Sequence, residues 1–154
     1  MQQDPLAKKR HLEFVKTIIK KGKVYTIDNE DGIASADSLL YQDEDGQPKG
    51  MILFWSEKRL AQAQCKAEWS EYKPSEMALS DFLENACIGL YDNHHIIGTN
   101  FGSDLIGYEI EPLNLILECI RKLRKAETNL TFKRYDNMSI FERLVKDHLS
   151  KDAE

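Results

Sequence analysis

A chain of 154 residues, 42% hydrophobic and 31% charged, can bury one substantial core without disulfide staples. It has no run approaching the roughly 18 apolar residues of a membrane span, and MQQDPLAKKRHLEF lacks the apolar centre of a secretory signal, so no membrane association is expected. A net charge of −5 argues against nucleic acid as a partner, and Cys65, Cys87 and Cys119, odd in number and without a CxxC pair, fit reduced thiols in a cytoplasmic protein.

Residues 4–21 read as an amphipathic helix. Asp4 is placed as N-cap, Pro5 at the first helical position and Gly22 as terminator, while Leu12, Val15, Ile18 and Ile19 share a face with Phe14 beside them. KVYTID (23–28) switches to strand alternation, NEDG (29–32) turns, and IASADSLLY is a weaker strand. After the polar loop QDEDGQPKG (42–50), MILFW completes what reads as a three-stranded antiparallel meander. A helix is expected at about 57–69, then a short strand at SEMAL and a helix over LSDFLENACIGL (79–90). HHIIGTN and LIGYEI read as strands joined across FGSD, and Glu111-Pro112 opens a helix striped by Leu113, Ile116, Leu117, Ile120 and Leu123. A last amphipathic helix starts near Ser139 with Ile140, Phe141, Leu144, Val145 and Leu149. Strands in runs with irregularly interspersed helices predict an α+β fold: one domain, with helices packed on a mostly antiparallel sheet of about five strands. Residues 1–125 form its body and 126–154 a helical extension.

The candidate chemistry is sparse. Ser56 follows an apolar run and precedes a helical pattern, but a nucleophile elbow needs glycines where Phe54 and Lys58 stand, so Ser56 is expected to cap the helix. His94 and His95, adjacent in a strand, would face opposite sides and share no metal. Gly98, Gly102 and Gly107 fit turns and kinks rather than a phosphate loop. Glu109 and Glu111 would share a strand face as an acid–base pair, but nothing marks a substrate cleft beside them. No catalytic set, metal or cofactor is therefore expected. Charge is polarised: seven Lys or Arg against two carboxylates in residues 1–23, and seven Asp or Glu with no Lys or Arg in residues 28–45. Trp69 and Tyr72 lie in a polar stretch, where aromatics commonly anchor a partner.

KGKVYTIDNEDG, FWSEKRLA, EWSEYKPSEMALSDFL and IIGTNFGSDLIGYEIEPLNL follow one another in an order that resembles the small bacterial domains of the DUF2750 family. The shared landmarks are Gly22 to Tyr25, Phe54 to Ser56, Trp69 with Tyr72 to Pro74, and Gly107 with Glu111-Pro112, over about residues 10–120. The chain departs from the pattern at Ile52-Leu53, where the family often has proline before Phe-Trp. The resemblance implies a fold but no activity, substrate or cofactor. The layout is also similar, more loosely, to the N-terminal domain of SseB-like proteins, which are associated with secretion and protein interaction.

The expected function is a non-enzymatic protein-interaction module, of adaptor, inhibitor or immunity-like kind. Its partner-binding residues would be Lys8, Lys9, Arg10, Trp69 and Tyr72. The alternative is a small-ligand-binding protein or enzyme with a site near Trp55, His94, Asn100 and Asp104. A homodimer through the C-terminal helix, using Phe141 and Leu144, is a further expectation.

Overall fold

The computed structural model describes residues 3–153. Helix α1 spans Pro5–Lys21. Asp4 Oδ1 accepts the Leu6 N–H at 2.7 Å, and Gly22 closes the helix in the left-handed region at φ 71°, its N–H reaching Ile18 O at 2.8 Å. The buried face is Ala7, His11, Phe14, Val15 and Ile18, a 3.6-residue stripe that leaves Leu12 at its edge and 59% exposed.

The fold is α+β, but the expected single sheet of about five strands is two sheets with seven strands among the described residues. In the first, β1 (Lys23–Asn29) lies between β2 (Gly32–Ile33) and β5 (Lys73–Ala78), antiparallel to both. The second contains β3 (Ser35–Gln42), β4 (Pro48–Phe54), β6 (Ile96–Thr99) and β7 (Tyr108–Ile110), in the order β3-β4-β6-β7. The meander breaks because β1 takes β5 as its long partner, leaving β3 to pair with β4 alone. β4 then takes β6 as a parallel neighbour, Met51 opposite Ile96 and Phe54 opposite Thr99. A strand covered on both faces suits such pairing, which is why MILFW carries no polar alternation.

Alternation in β4 instead divides two cores. Ile52 and Phe54 enter the main core, against Phe14, Ile18 and Phe82, while Met51, Leu53 and Trp55 enter a second one with Ile27 and Ile96. The sheets meet where Tyr25 and Trp55 exchange backbone hydrogen bonds of 2.9 and 2.7 Å. The helix expected over 57–69 stops early: α2 covers Lys58–Gln62, and Ala67–Trp69 form one 3-10 turn entered through Ala67 at φ 51°.

The helical run after β5 comprises α3 (Leu79–Asp81), a π-helical segment (Phe82–Cys87) and α4 (Ile88–Asp92). The widened segment carries Glu84, which is buried. Its carboxylate accepts the backbone N–H groups of Lys133 and Arg134 at 3.0 and 2.8 Å. This latch holds the connection between α5 (Pro112–Lys125) and α6 (Met138–Asp152), which is capped by Asn137 Oδ1 on the Ile140 N–H. Phe132, Met138, Phe141 and Val145 join the main core. Phe141 is fully buried and so unavailable to a dimer surface, whereas Ile140 and Leu144 remain exposed. No helix among the described residues is long and apolar enough to cross a membrane.

Replacing Glu84 by Ala leaves two N–H groups without their charged acceptor and is expected to lower stability by about 2–3 kcal/mol in urea melts. Glu84→Gln, which keeps one acceptor, should lose less. Hydrogen exchange at Lys133 and Arg134 should accelerate in both; unchanged protection there would show that the latch contributes nothing.

Candidate functional site

The segment after β6, NFGSDLIG (100–107), organises the surface around Trp55. Asn100 turns the chain at φ 48°, a left-handed conformation that asparagine tolerates better than most residues. Its Oδ1 accepts the Ser56 N–H at 3.0 Å, and its Nδ2 donates to Ser56 Oγ at 3.1 Å. Ser56 is thus buried at a corner and held by Asn100; Glu57 occupies the N-cap position of α2, so the serine does not cap the helix as expected. Phe101 lies in a slot between two glycines: a Cβ on Gly107 would come within 2.1 Å of its ring, and one on Gly98 within 2.8 Å. The Trp55 indole N–H donates to Phe101 O at 2.8 Å and closes the slot.

Arg10 braces the same loop from α1. Its guanidinium makes two bonds of 2.8 Å to the Asp104 carboxylate and one of 2.6 Å to Ile106 O. The Arg10 hydrogen bond, joined by the Ile106 N–H, pulls the Asp104 carboxyl from an ordinary 3.8 down to about 2. The braced loop holds Leu105 out at φ 65°, 79% exposed.

Two clefts flank this loop. One, of about 410 Å³, is floored by Met51, Leu53 and Trp55 and walled by Trp69 and Phe101. Leu39 of β3 and Leu105 border it, each 79% exposed, and Asp37 and Glu68 are its acidic residues. The other, of about 340 Å³, has a mixed lining in which Asn100, Arg10 and Glu57 are engaged while Lys9, Glu13 and Thr17 are further polar residues. Asn100 bonds Ser56, Arg10 bonds Asp104, and Glu57 takes Lys21 at 3.0 Å and Arg59 at 2.8 Å.

The structure therefore brings Trp55, Asn100 and Asp104 into one neighbourhood but separates His94 from them. That residue lies in the turn before β6 at φ 59°, beside the acidic β3–β4 hairpin, at the opposite end of β6 from Asn100. It is not in a strand as expected; His95 alone packs inward, its ring against Gly50, with Nδ1 lacking a partner among the described residues. Of the basic trio, Lys8 and Lys9 are exposed, while Arg10 is committed to Asp104. Trp69 and Tyr72 are half-buried against the second core, and Trp69 also walls the apolar cleft.

Buried polar groups account for much of the remaining chemistry. Glu109 is no acid–base partner of Glu111: its oxygens accept the Ser38 hydroxyl and the Leu39 N–H, the latter at 2.9 Å, while Glu111 is exposed before α5. Since Ser38 and Glu109 lie on the two edge strands, this carboxylate ties the sheet edges together. His11, which the sequence reading passed over, is buried with Nδ1 2.9 Å from Thr99 Oγ1 and Nε2 2.6 Å from Glu118. Burial pushes the Glu118 carboxyl up, but the His11 hydrogen bond and the charges of His11, Arg121 and Lys122 outweigh it and hold the group below its usual range. Thr99 is fully buried and none of the clefts described reaches the chain, so Thr99, His11 and Glu118 act as a staple between α1, β6 and α5. The signal was present in the helix period, since His11 falls four residues after Ala7 and three before Phe14 on the inward face. Burial also pushes the Cys87 and Cys119 thiols far up, against nucleophilic use. No cluster of three or more metal-ligating side chains occurs among the described residues.

Because the folded Asp104 pKa is depressed, the Arg10–Asp104 brace contributes fully above about pH 4 and is lost as pH falls toward 2. The Trp55 indole N–H resonance should report this as a shift and faster exchange in that window, and Asp104→Asn should produce the same change at neutral pH. An indole signal that stays constant until global unfolding would contradict the brace.

The sequence profile of a family described as proteins of unknown function, DUF2750, matches residues 11–118. Neither a curated protein nor a solved structure matches the chain. The matched span contains the Trp55 corner, the braced loop and the His11–Glu118 staple, and ends before α6. With more than half of its length matched, the chain belongs to the DUF2750 family.

Proposed function

We propose that the protein is a non-enzymatic interaction module that holds an extended segment of a protein partner against β3, with an apolar side chain of that segment in the Trp55–Trp69–Phe101 cleft. The observation that carries this reading is the pair Leu39 and Leu105, each 79% exposed on the border of an aromatic-lined cleft. Large apolar side chains held out by braced backbone, around a partly desolvated aromatic floor, are the form that interface hot spots take. β3 is a sheet edge whose Leu39, Leu40 and Tyr41 N–H groups are taken by Glu109 and Ser38, and its residues Ser35 to Asp37 line the cleft, so an extended chain can run beside that first part of the strand and fill the pocket. Asp37 and Glu68 in the cleft, and the seven carboxylates of residues 28–45, favour basic residues flanking the anchor. The second cleft supports the ligand or enzyme reading less, because Asn100, Ser56, Arg10 and Glu57, its most enclosed polar groups, are engaged in bonds within the protein.

A photocrosslinking residue at Leu39 or Leu105, expressed in the source cells, should trap a discrete protein, while the same residue at Leu144 should not trap it. Trp69→Ala should abolish the crosslink. Against the purified partner, Leu39→Glu should weaken binding at least about tenfold without changing the melting temperature, as expected for a hot-spot residue that is already solvent-exposed. Equal crosslinking from Leu144, or none from either cleft position, would overturn the proposal.

A further inference from the structure

The inward stripe of α1 leaves Leu12 outside the core. With Val15 and Ile19 it lines a groove of about 660 Å³ between α1 and the C-terminal end of α5. The charged residues lining this groove are Lys16, Lys20, Lys122 and Lys125, with no carboxylate among them. None of these four lysines is in an ion pair among the described residues, whereas Lys21, Lys23 and Lys146 each have a carboxylate partner. Four like charges around an aliphatic floor repel one another, and an occupant bearing both carboxylates and an apolar face relieves that repulsion.

We infer that this groove is a docking site for an acidic amphipathic helix of a partner protein, distinct from the aromatic cleft and independent of it. Leu12 and Ile19, with Val15 between them, are seven positions apart, about 10 Å along α1, which matches two turns of a helix laid into the groove. Its leucine-like anchors would sit over the aliphatic floor, and Asp or Glu on its flanks would meet the lysines of α1 on one side and of α5 on the other. A nucleic acid fits less well: no aromatic side chain lines the groove to stack a base, and the chain as a whole is at −5.

The test is selection of a displayed library of helical peptides against the full chain, followed by fluorescence anisotropy of the enriched peptides. Enrichment of aliphatic residues at i, i+3 or i+4, and i+7, with Asp or Glu beside them, is expected. Binding should weaken at least about tenfold in Leu12→Glu and in Lys16→Glu/Lys20→Glu, and also when salt rises from about 50 to 300 mM. Leu39→Glu should leave it unchanged, which separates this site from the aromatic cleft. Leu12, Lys16 and Lys20 are all exposed, and unchanged thermal melts would exclude unfolding as the cause. No enrichment, a basic consensus, or peptides indifferent to Leu12→Glu would overturn the inference. So would phosphatidylserine vesicles, an oligothymidylate, or self-association of the chain showing the same substitution pattern while acidic peptides do not bind.

Discussion

Two backbone hydrogen bonds between Tyr25 and Trp55 hold this molecule's two sheets together at one residue pair. Their importance lies in what Trp55 does besides. Its backbone ends β4, the strand whose faces supply two cores, and its ring sits fully buried in the second of them. The indole N–H then reaches Phe101 O and fixes the loop that follows β6. One residue thereby couples the sheet junction, the smaller core and the braced loop, so the shape of the aromatic cleft follows from the position of a single side chain. The Thr26 hydroxyl, donating to Leu53 O at 2.8 Å, supports the same junction beside that pair.

The rest of the fold is fastened by charged or polar groups placed where apolar packing alone would leave freedom. Glu109 joins the two edge strands of the four-stranded sheet. Glu84 holds a long connection to the helix that follows it. His11 links three elements through Thr99 and Glu118. Each is buried, and each is hydrogen-bonded within the protein, which is the condition under which a buried polar group is tolerated. These bonds hold the three groups in structural positions.

What remains available at the surface is shape and charge. The aromatic cleft carries carboxylates and lies along an edge strand, while the groove between α1 and α5 carries only lysines and lies between helices. Under the two proposals, an extended basic segment would occupy the first and an acidic helix the second.

Local rules were enough for the elements whose boundaries depend on neighbours in sequence. Asp4, Pro5 and Gly22 delimit α1 because capping acts within a few residues, and alternation identified β1 and an apolar run β4 for the same reason. The α+β class followed from the order of these elements. The division into two sheets was not legible, because strand partners are chosen by burial across the whole chain, and β1 gains more from β5 than from a two-residue β2. Ser56 looked like a cap because its neighbours suit a helix start; Asn100, forty-four positions away, takes it instead. Sequence by itself determined α1, α5, α6, the strands β1 and β4 and the polarised charge, since these rest on local periodicity and composition. Tertiary structure alone decided which carboxylates and histidines are consumed internally and which leucines stand free at a cleft, because those outcomes depend on distances between residues that the chain order keeps far apart.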